Sequence, residues 1–129
     1  MSAEQTAQQS QSQKTAPLDE MPEFIDDGWN ADATIDPVPN LHRGMKFKYR
    51  PLGFFKRRQE SRDYEKITDE DARDMKRAEQ MKTRLISWSY NAPITIENIL
   101  NLPPVVFVRL EAIMNGMQPG DSVVIERKN

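Results

Sequence analysis

The chain has 129 residues, enough for one domain, and it is polar: 37% hydrophobic, 29% charged, with a mean hydropathy of -0.76. It has no Cys and one His, His42, which excludes disulfide scaffolds, thiol nucleophiles, iron–sulfur clusters and metal sites built on cysteines or on two histidines. The net charge of -2 conceals a segregation: -7 over residues 1–42, +6 over 43–84 and -1 over 85–129.

Charge divided in this way belongs to tails, linkers and partner surfaces rather than to a fold. No apolar run approaches the roughly 20 residues of a membrane span. The Gln/Ser-rich start has no apolar core of a secretory signal. A soluble, intracellular type of protein without a membrane partner is expected.

In chain order, residues 1–17 are Gln, Ser, Ala and Thr with almost nothing to bury. They cannot offset a conformational entropy of roughly 1–2 kcal/mol per residue and are expected to be disordered. Residues 18–42 are acidic and punctuated by Pro22, Pro37 and Pro39, with Phe24, Ile25, Trp29 and Ile35 scattered among them. This segment reads either as a flexible tail or as an arm that folds back or grips a partner. The domain boundary is therefore placed at 42/43, with a tail over 1–42 and a domain over 43–126.

From Met45 to Arg50 the chain alternates, placing Met45, Phe47 and Tyr49 on one face and Lys46, Lys48 and Arg50 on the other. Period two predicts a half-buried strand, ended by Pro51. Phe54 to Arg62 is expected as a short helix with both phenylalanines turned inward. Thr68-Asp69-Glu70-Asp71 resembles a capped helix start. Ala72, Met75, Ala78, Met81, Leu85 and Trp88 then form one apolar stripe, opposite Lys76, Arg77, Lys82 and Arg84. The spacing predicts a helix over 69–88.

Thr95 is placed to cap a helix over 96–101. Pro104 suits the first turn of a last helix, lined by Val106, Phe107, Leu110, Ile113 and Met114 and stopped by Gly116. Ser122 to Glu126 reads as a strand pairing with 45–50 or as a tail. The predicted class is mainly α with a minor β element, an α+β domain. Its expected core is Phe47, Tyr49, Leu85, Trp88, Phe107 and Leu110, with Trp88 joining the long helix to the last one.

Little in this sequence carries catalysis. His42 sits in a Pro-rich linker, whereas a Ser–His–Asp site needs a rigid frame. Asp69, Glu70, Asp71 and Asp74 lack the spacing of a calcium loop and suit the positive end of a helix. No Gly-rich phosphate loop is present. No enzyme activity, metal or cofactor is expected.

Binding is better represented. Arg43 to Arg58 holds seven bases, no acid and four aromatics, a composition that can hold single-stranded nucleic acid by phosphate contacts and stacking. The alternation argues against this, because it turns Phe47 and Tyr49 inward. Lys46, Lys48, Arg50, Lys56, Arg57 and Arg58 then face a partner's acids or the chain's own acidic arm, which would shield them until a partner displaces it. Met75, Met81 and Met114, on or beside apolar faces, are candidates for an adaptable partner-binding surface.

One pattern is more specific. Leu85-Ile86-Ser87-Trp88-Ser89-Tyr90 is followed by Ala92-Pro93-Ile94-Thr95-Ile96-Glu97-Asn98-Ile99-Leu100, then Leu102-Pro103-Pro104 and a last helix. It resembles small tail assembly chaperones of long-tailed bacteriophages. In these, Trp, then Pro-(Ile/Val)-Thr-x-Glu-Asn-(Ile/Val), then Leu-Pro precede a final helix. Met45–Leu52 is similar to the basic, apolar, Arg-Pro-Leu opening of that family, so the resemblance covers about residues 44–116.

The resemblance implies a non-enzymatic assembly factor in the cytoplasm of a bacterial host. Its protein partner would be a tape-measure or tail tube protein, and self-association is open to it. The alternatives are a minor structural protein of the mature virion with an extended N-terminal arm, and a nucleic-acid-binding module using residues 43–58.

Overall fold

The alternating run at 45–50 becomes the centre of a sheet. In the computed structural model, which describes residues 29–121, it forms β2 (Met45–Tyr49). It lies between β1 (Ala31–Ile35) and β3 (Leu85–Trp88), with both pairings antiparallel. Four helices complete the described chain: α1 (Phe54–Glu65), α2 (Glu70–Arg84), α3 (Ile96–Leu100) and α4 (Pro104–Met114). The class is α+β and mainly helical, as expected.

The expected boundary at 42/43 falls inside the sheet. Residues 31–35 pair with all of β2, from Ala31 opposite Tyr49 to Ile35 opposite Met45. Ala31 and Ile35 are buried, so part of the acidic segment is structural. Residues 36–44 turn the hairpin. Val38 and His42 exchange two backbone hydrogen bonds of 3.0 and 3.1 Å, and Asn40 takes the left-handed conformation at φ 67°. Gly44 passes so close to the incoming strand that a Cβ there would lie 2.9 Å from Pro37 Cδ. The expected disorder of 1–17 and the strand at 122–126 lie outside the described residues.

The helix predicted over 69–88 stops at Arg84. Leu85 caps it in an extended conformation, and the chain enters β3 without a loop. Tertiary pairing overrides the helical period: Trp88 stands opposite Phe47, Ser87 opposite Lys48 and Leu85 opposite Tyr49, with a bulge between Lys48 and Tyr49. The strand is tied at both ends, by Arg50 N–H to Arg84 O at 2.9 Å and Ser89 N–H to Lys46 O at 2.9 Å. The N-cap of α2 is Asp69 rather than Thr68, its Oδ2 accepting from Ala72 N–H at 2.9 Å.

The later elements form where expected. Thr95 Oγ1 accepts from Asn98 N–H at 3.0 Å and caps α3. Pro104 opens α4. Gly116, at φ 76°, ends it with Gly116 N–H on Ile113 O and Met117 N–H on Ala112 O, the paired bonds of a Schellman cap.

One core results. It gathers Ile35, Met45 and Phe47 from the sheet, Ala78, Met81 and Leu85 from α2 and its end, Ile99 and Leu102, and Val106, Leu110, Ile113 and Met114 from α4. Of the six expected core residues, Phe47, Leu85 and Leu110 are buried, while Tyr49, Trp88 and Phe107 are half-buried against the cluster. Trp88 was expected to weld two helices. Instead it serves the sheet, with its ring 5.6 Å from that of Tyr90 and its Nε1–H donating to Ala92 O at 2.7 Å.

Candidate functional site

The six bases expected to meet a partner are divided between the sheet and α1. Lys46 and Lys48 project from the sheet face opposite the core. There, with Asp32, Ser87 and Ser89, they border an open groove of about 310 Å³. Lys48 Nζ lies 3.9 Å from Asp32 Oδ1, a loose surface pair worth about 1 kcal/mol or less. Arg50 is exposed just beyond β2. Lys56, Arg57 and Arg58 belong to α1, where Lys56 and Arg58 are exposed and Arg57 is half-buried.

The strand aromatics point away from this surface. Phe47 is buried, and Tyr49 donates its hydroxyl to Ile113 O at 3.3 Å. Burial pushes the Tyr49 hydroxyl above its ordinary range, against the opposing pull of Arg84. Neither ring is presented for stacking.

The phenylalanines of α1 were expected inward and are outward. Phe54 is 76% exposed and Phe55 75%, and α1 buries none of its residues. The reason lies in the spacing. Its apolar residues sit side by side at the first turn, with no companions at three- and four-residue steps to make a stripe. Arg58 reaches over the Phe54 ring at 5.7 Å.

The methionines also redistribute. Met75 is exposed, as a surface role needs, but Met81 and Met114 are 1% and 2% exposed and belong to the core. Their unbranched thioethers fill space between α2, α4 and the sheet, so they are not available to a partner. Ala72 is exposed as well, so the apolar stripe of α2 begins only at Ala78.

What holds α1 is polar. Gln80 Nε2 donates to Glu60 O at 3.0 Å, and Arg73 of α2 lies over the Tyr64 ring at 4.5 Å. Between α1, α2 and α4 a cleft of about 260 Å³ is lined by Arg57, Glu60, Arg77, Arg84, Glu111 and Asn115 among others. Arg77 meets Glu111 with two bonds, Nη2 to Oε1 at 2.6 Å and Nε to Oε2 at 3.1 Å. It also covers the Phe107 ring at 4.9 Å. The bonds to Glu111 raise the guanidinium's affinity for its proton above the usual level.

Arg84, placed by sequence on the polar face of α2, is 4% exposed. Its Nη1 donates to Met114 O at 2.9 Å and its Nη2 to Asn115 Oδ1 at 2.7 Å. Desolvation lowers its hold on the proton, partly countered by Glu60. The signal that could have found it was spacing: Arg84 lies three residues beyond Met81 and six beyond Ala78, on the buried stripe.

Other polar groups are structural. His42 Nδ1 lies 3.0 Å from Arg43 O in the hairpin turn. Asp69 caps α2, and Asp74 lies 3.9 Å from Arg77. Among the described residues no group of three or more His, Asp or Glu converges to hold a metal ion, and no helix is long and apolar enough to cross a membrane. No family model, curated protein or solved structure matches this chain.

Proposed function

We propose that the chain is a non-enzymatic assembly factor acting by protein–protein contact, of the kind that chaperones the tail proteins of long-tailed phages in the host cytoplasm. The observation that carries this reading is α1. It is a 12-residue helix with no buried residue, and it offers Phe54 and Phe55 to solvent beside Lys56, Arg57 and Arg58. Burying a phenylalanine contributes about 1.5–3 kcal/mol, so two at one helix tip favour a modest, reversible contact. Repeated weak contacts suit a factor that coats a long apolar helix and then leaves. The Lys46–Lys48 face adds a basic surface on which an acidic partner segment gains encounter rate more than affinity.

The test is coexpression with a long helical tape-measure protein of a long-tailed phage, followed by size exclusion. The wild type should keep that protein soluble and co-elute with it, and Phe54→Ser/Phe55→Ser should not. The chain should be absent from purified particles. Its presence there at fixed stoichiometry would replace the chaperone with a virion component. A dimer that the same double substitution abolishes would identify the tip as a self-association surface.

A second reading draws on the same helix. Exposed aromatics next to bases can stack on single-stranded nucleic acid, and Phe54 and Phe55 are so exposed although Phe47 and Tyr49 are not. A gel shift at about 150 mM salt decides between the two: a discrete sub-micromolar complex with single-stranded DNA would favour this one.

A further inference from the structure

The cleft between α1, α2 and α4 has an unequal charge balance. Three guanidiniums, Arg57, Arg77 and Arg84, meet two carboxylates, Glu60 and Glu111. Glu111 is fully engaged by Arg77 through its two bonds. Glu60 alone is left for Arg57 and Arg84, and its Oε1 lies 3.7 Å from Arg84 Nη2, too far for a hydrogen bond.

The bonds that Arg84 does make go to neutral oxygens, Met114 O and Asn115 Oδ1. Its Nε is buried without a hydrogen-bond partner, and so is that of Arg57, whose Nη1 donates only to Ser61 Oγ at 3.1 Å. A buried guanidinium whose ion pair with Glu60 is long, at 3.7 Å, and whose Nε–H is orphaned is a costly arrangement that a closer anion would relieve. The planar fork of arginine takes two oxygens of a carboxylate or phosphate side by side. The cleft has room: about 260 Å³, where one water needs roughly 10–15 Å³.

We propose that this cleft binds a single oxyanion group, carboxylate or phosphate, between Arg57 and Arg84. Glu60 is the internal group that such an anion would displace. Burial pushes its carboxyl above the ordinary range in spite of Arg84, Arg57 and Lys76 around it, and its 3.7 Å separation from Arg84 leaves that pair loose. The site shares Arg57 with the basic flank of the Phe54–Phe55 tip but neither phenylalanine, and an anion titration tests it apart from the assembly reading.

The experiment is a titration of the full chain with sodium phosphate and, in a second arm, sodium acetate, at ionic strength held constant with chloride. The arginine Nε–H resonances are followed by NMR. The Arg84 and Arg57 signals should move saturably, while that of Arg109 on the far side of α4 should not. Saturation by phosphate alone identifies a phosphate group as the natural occupant. Saturation by both admits the carboxylate of an acidic side chain or chain end. Both results support the site.

Three variants sharpen it, and Arg84 itself is left intact because it anchors Met114 O. Arg57→Gln should weaken binding about tenfold. Glu60→Gln, which removes the internal competitor, should tighten it severalfold. Arg58→Gln, exposed on α1 and not part of the cleft lining, should leave it unchanged. Absence of saturable movement at Arg84 in both arms would overturn the proposal. So would equal losses in Arg57→Gln and Arg58→Gln, since these would report diffuse surface charge.

Discussion

Helices α1 and α2 follow one another in sequence and are packed together. They are of similar length and similarly charged, yet they do opposite work. α2 buries Ala78, Met81 and Arg84, and α1 buries nothing. Composition does not separate them, but spacing does. Apolar residues three to four apart give α2 a face that enters the core, while α1 has its phenylalanines adjacent at one end. The lesson is a division of labour: α2 with α4 and the sheet forms the core, and α1 is a polar-tethered element whose apolar tip stays outside it.

The largest expected effect tests the stable side. Leu110 of α4 is fully buried, and Leu110→Ala should cost about 2–5 kcal/mol in urea or guanidinium unfolding. A loss under about 1 kcal/mol would remove α4 from the core and break the comparison.

Trp88 comes next. It is half-buried and bonded through Nε1 to Ala92 O. Trp88→Ala should cost about 2 kcal/mol, less than the roughly 3–5 kcal/mol of an enclosed tryptophan. A loss as large as that of Leu110→Ala would mean that the ring is enclosed as the helical reading required.

A smaller effect depends on pH. Arg109 holds Asp121 by two bonds, at 2.7 and 3.0 Å, and these keep the Asp121 carboxyl below its ordinary range. A depressed carboxyl contributes stability that is present above its unfolded value and lost as pH falls through the folded one. Arg109→Gln should therefore flatten the acid limb of a Tm-against-pH curve below about pH 4. It should lower stability at neutral pH by about 1 kcal/mol or less, because the pair is partly exposed. Parallel acid limbs in the two proteins would show that the pair contributes nothing.

The smallest expected effect on stability is the most telling for function. Phe54→Ser/Phe55→Ser should leave the unfolding free energy within about 0.5 kcal/mol of wild type while abolishing capture of a helical partner. A large destabilisation would place the two rings in the fold and end the contrast with α2.

Much of this architecture was legible in residue order. The Met45–Tyr49 alternation, the Thr95 cap, Pro104 at a helix start and Gly116 at its end each act through neighbours within a few residues, so the sequence shows them directly. Residues 31–35 also alternate, with Ala31, Ala33 and Ile35 against Asp32 and Thr34. Small side chains in an acidic, Pro-rich setting hid that signal. The candidate surface was less legible: Lys46 and Lys48 are on the open face as read, but Met81 and Met114 are core, and the Arg57–Arg84 cleft had no linear mark.

By itself, then, the sequence determined the elements whose causes are local: period, caps, breakers, and the charge asymmetry that put a basic face on β2. Tertiary structure alone decided where the long helix stops, because the free edge of β2 captures Leu85–Trp88 as a strand and its ladder outweighs the helical period. It also decided which of several similar side chains are enclosed. Arg84 is buried and Phe54 is not, because burial depends on what arrives from 20 or 30 residues away, Glu60 from α1 and Met114 and Asn115 from α4, and no short window of residues contains that information.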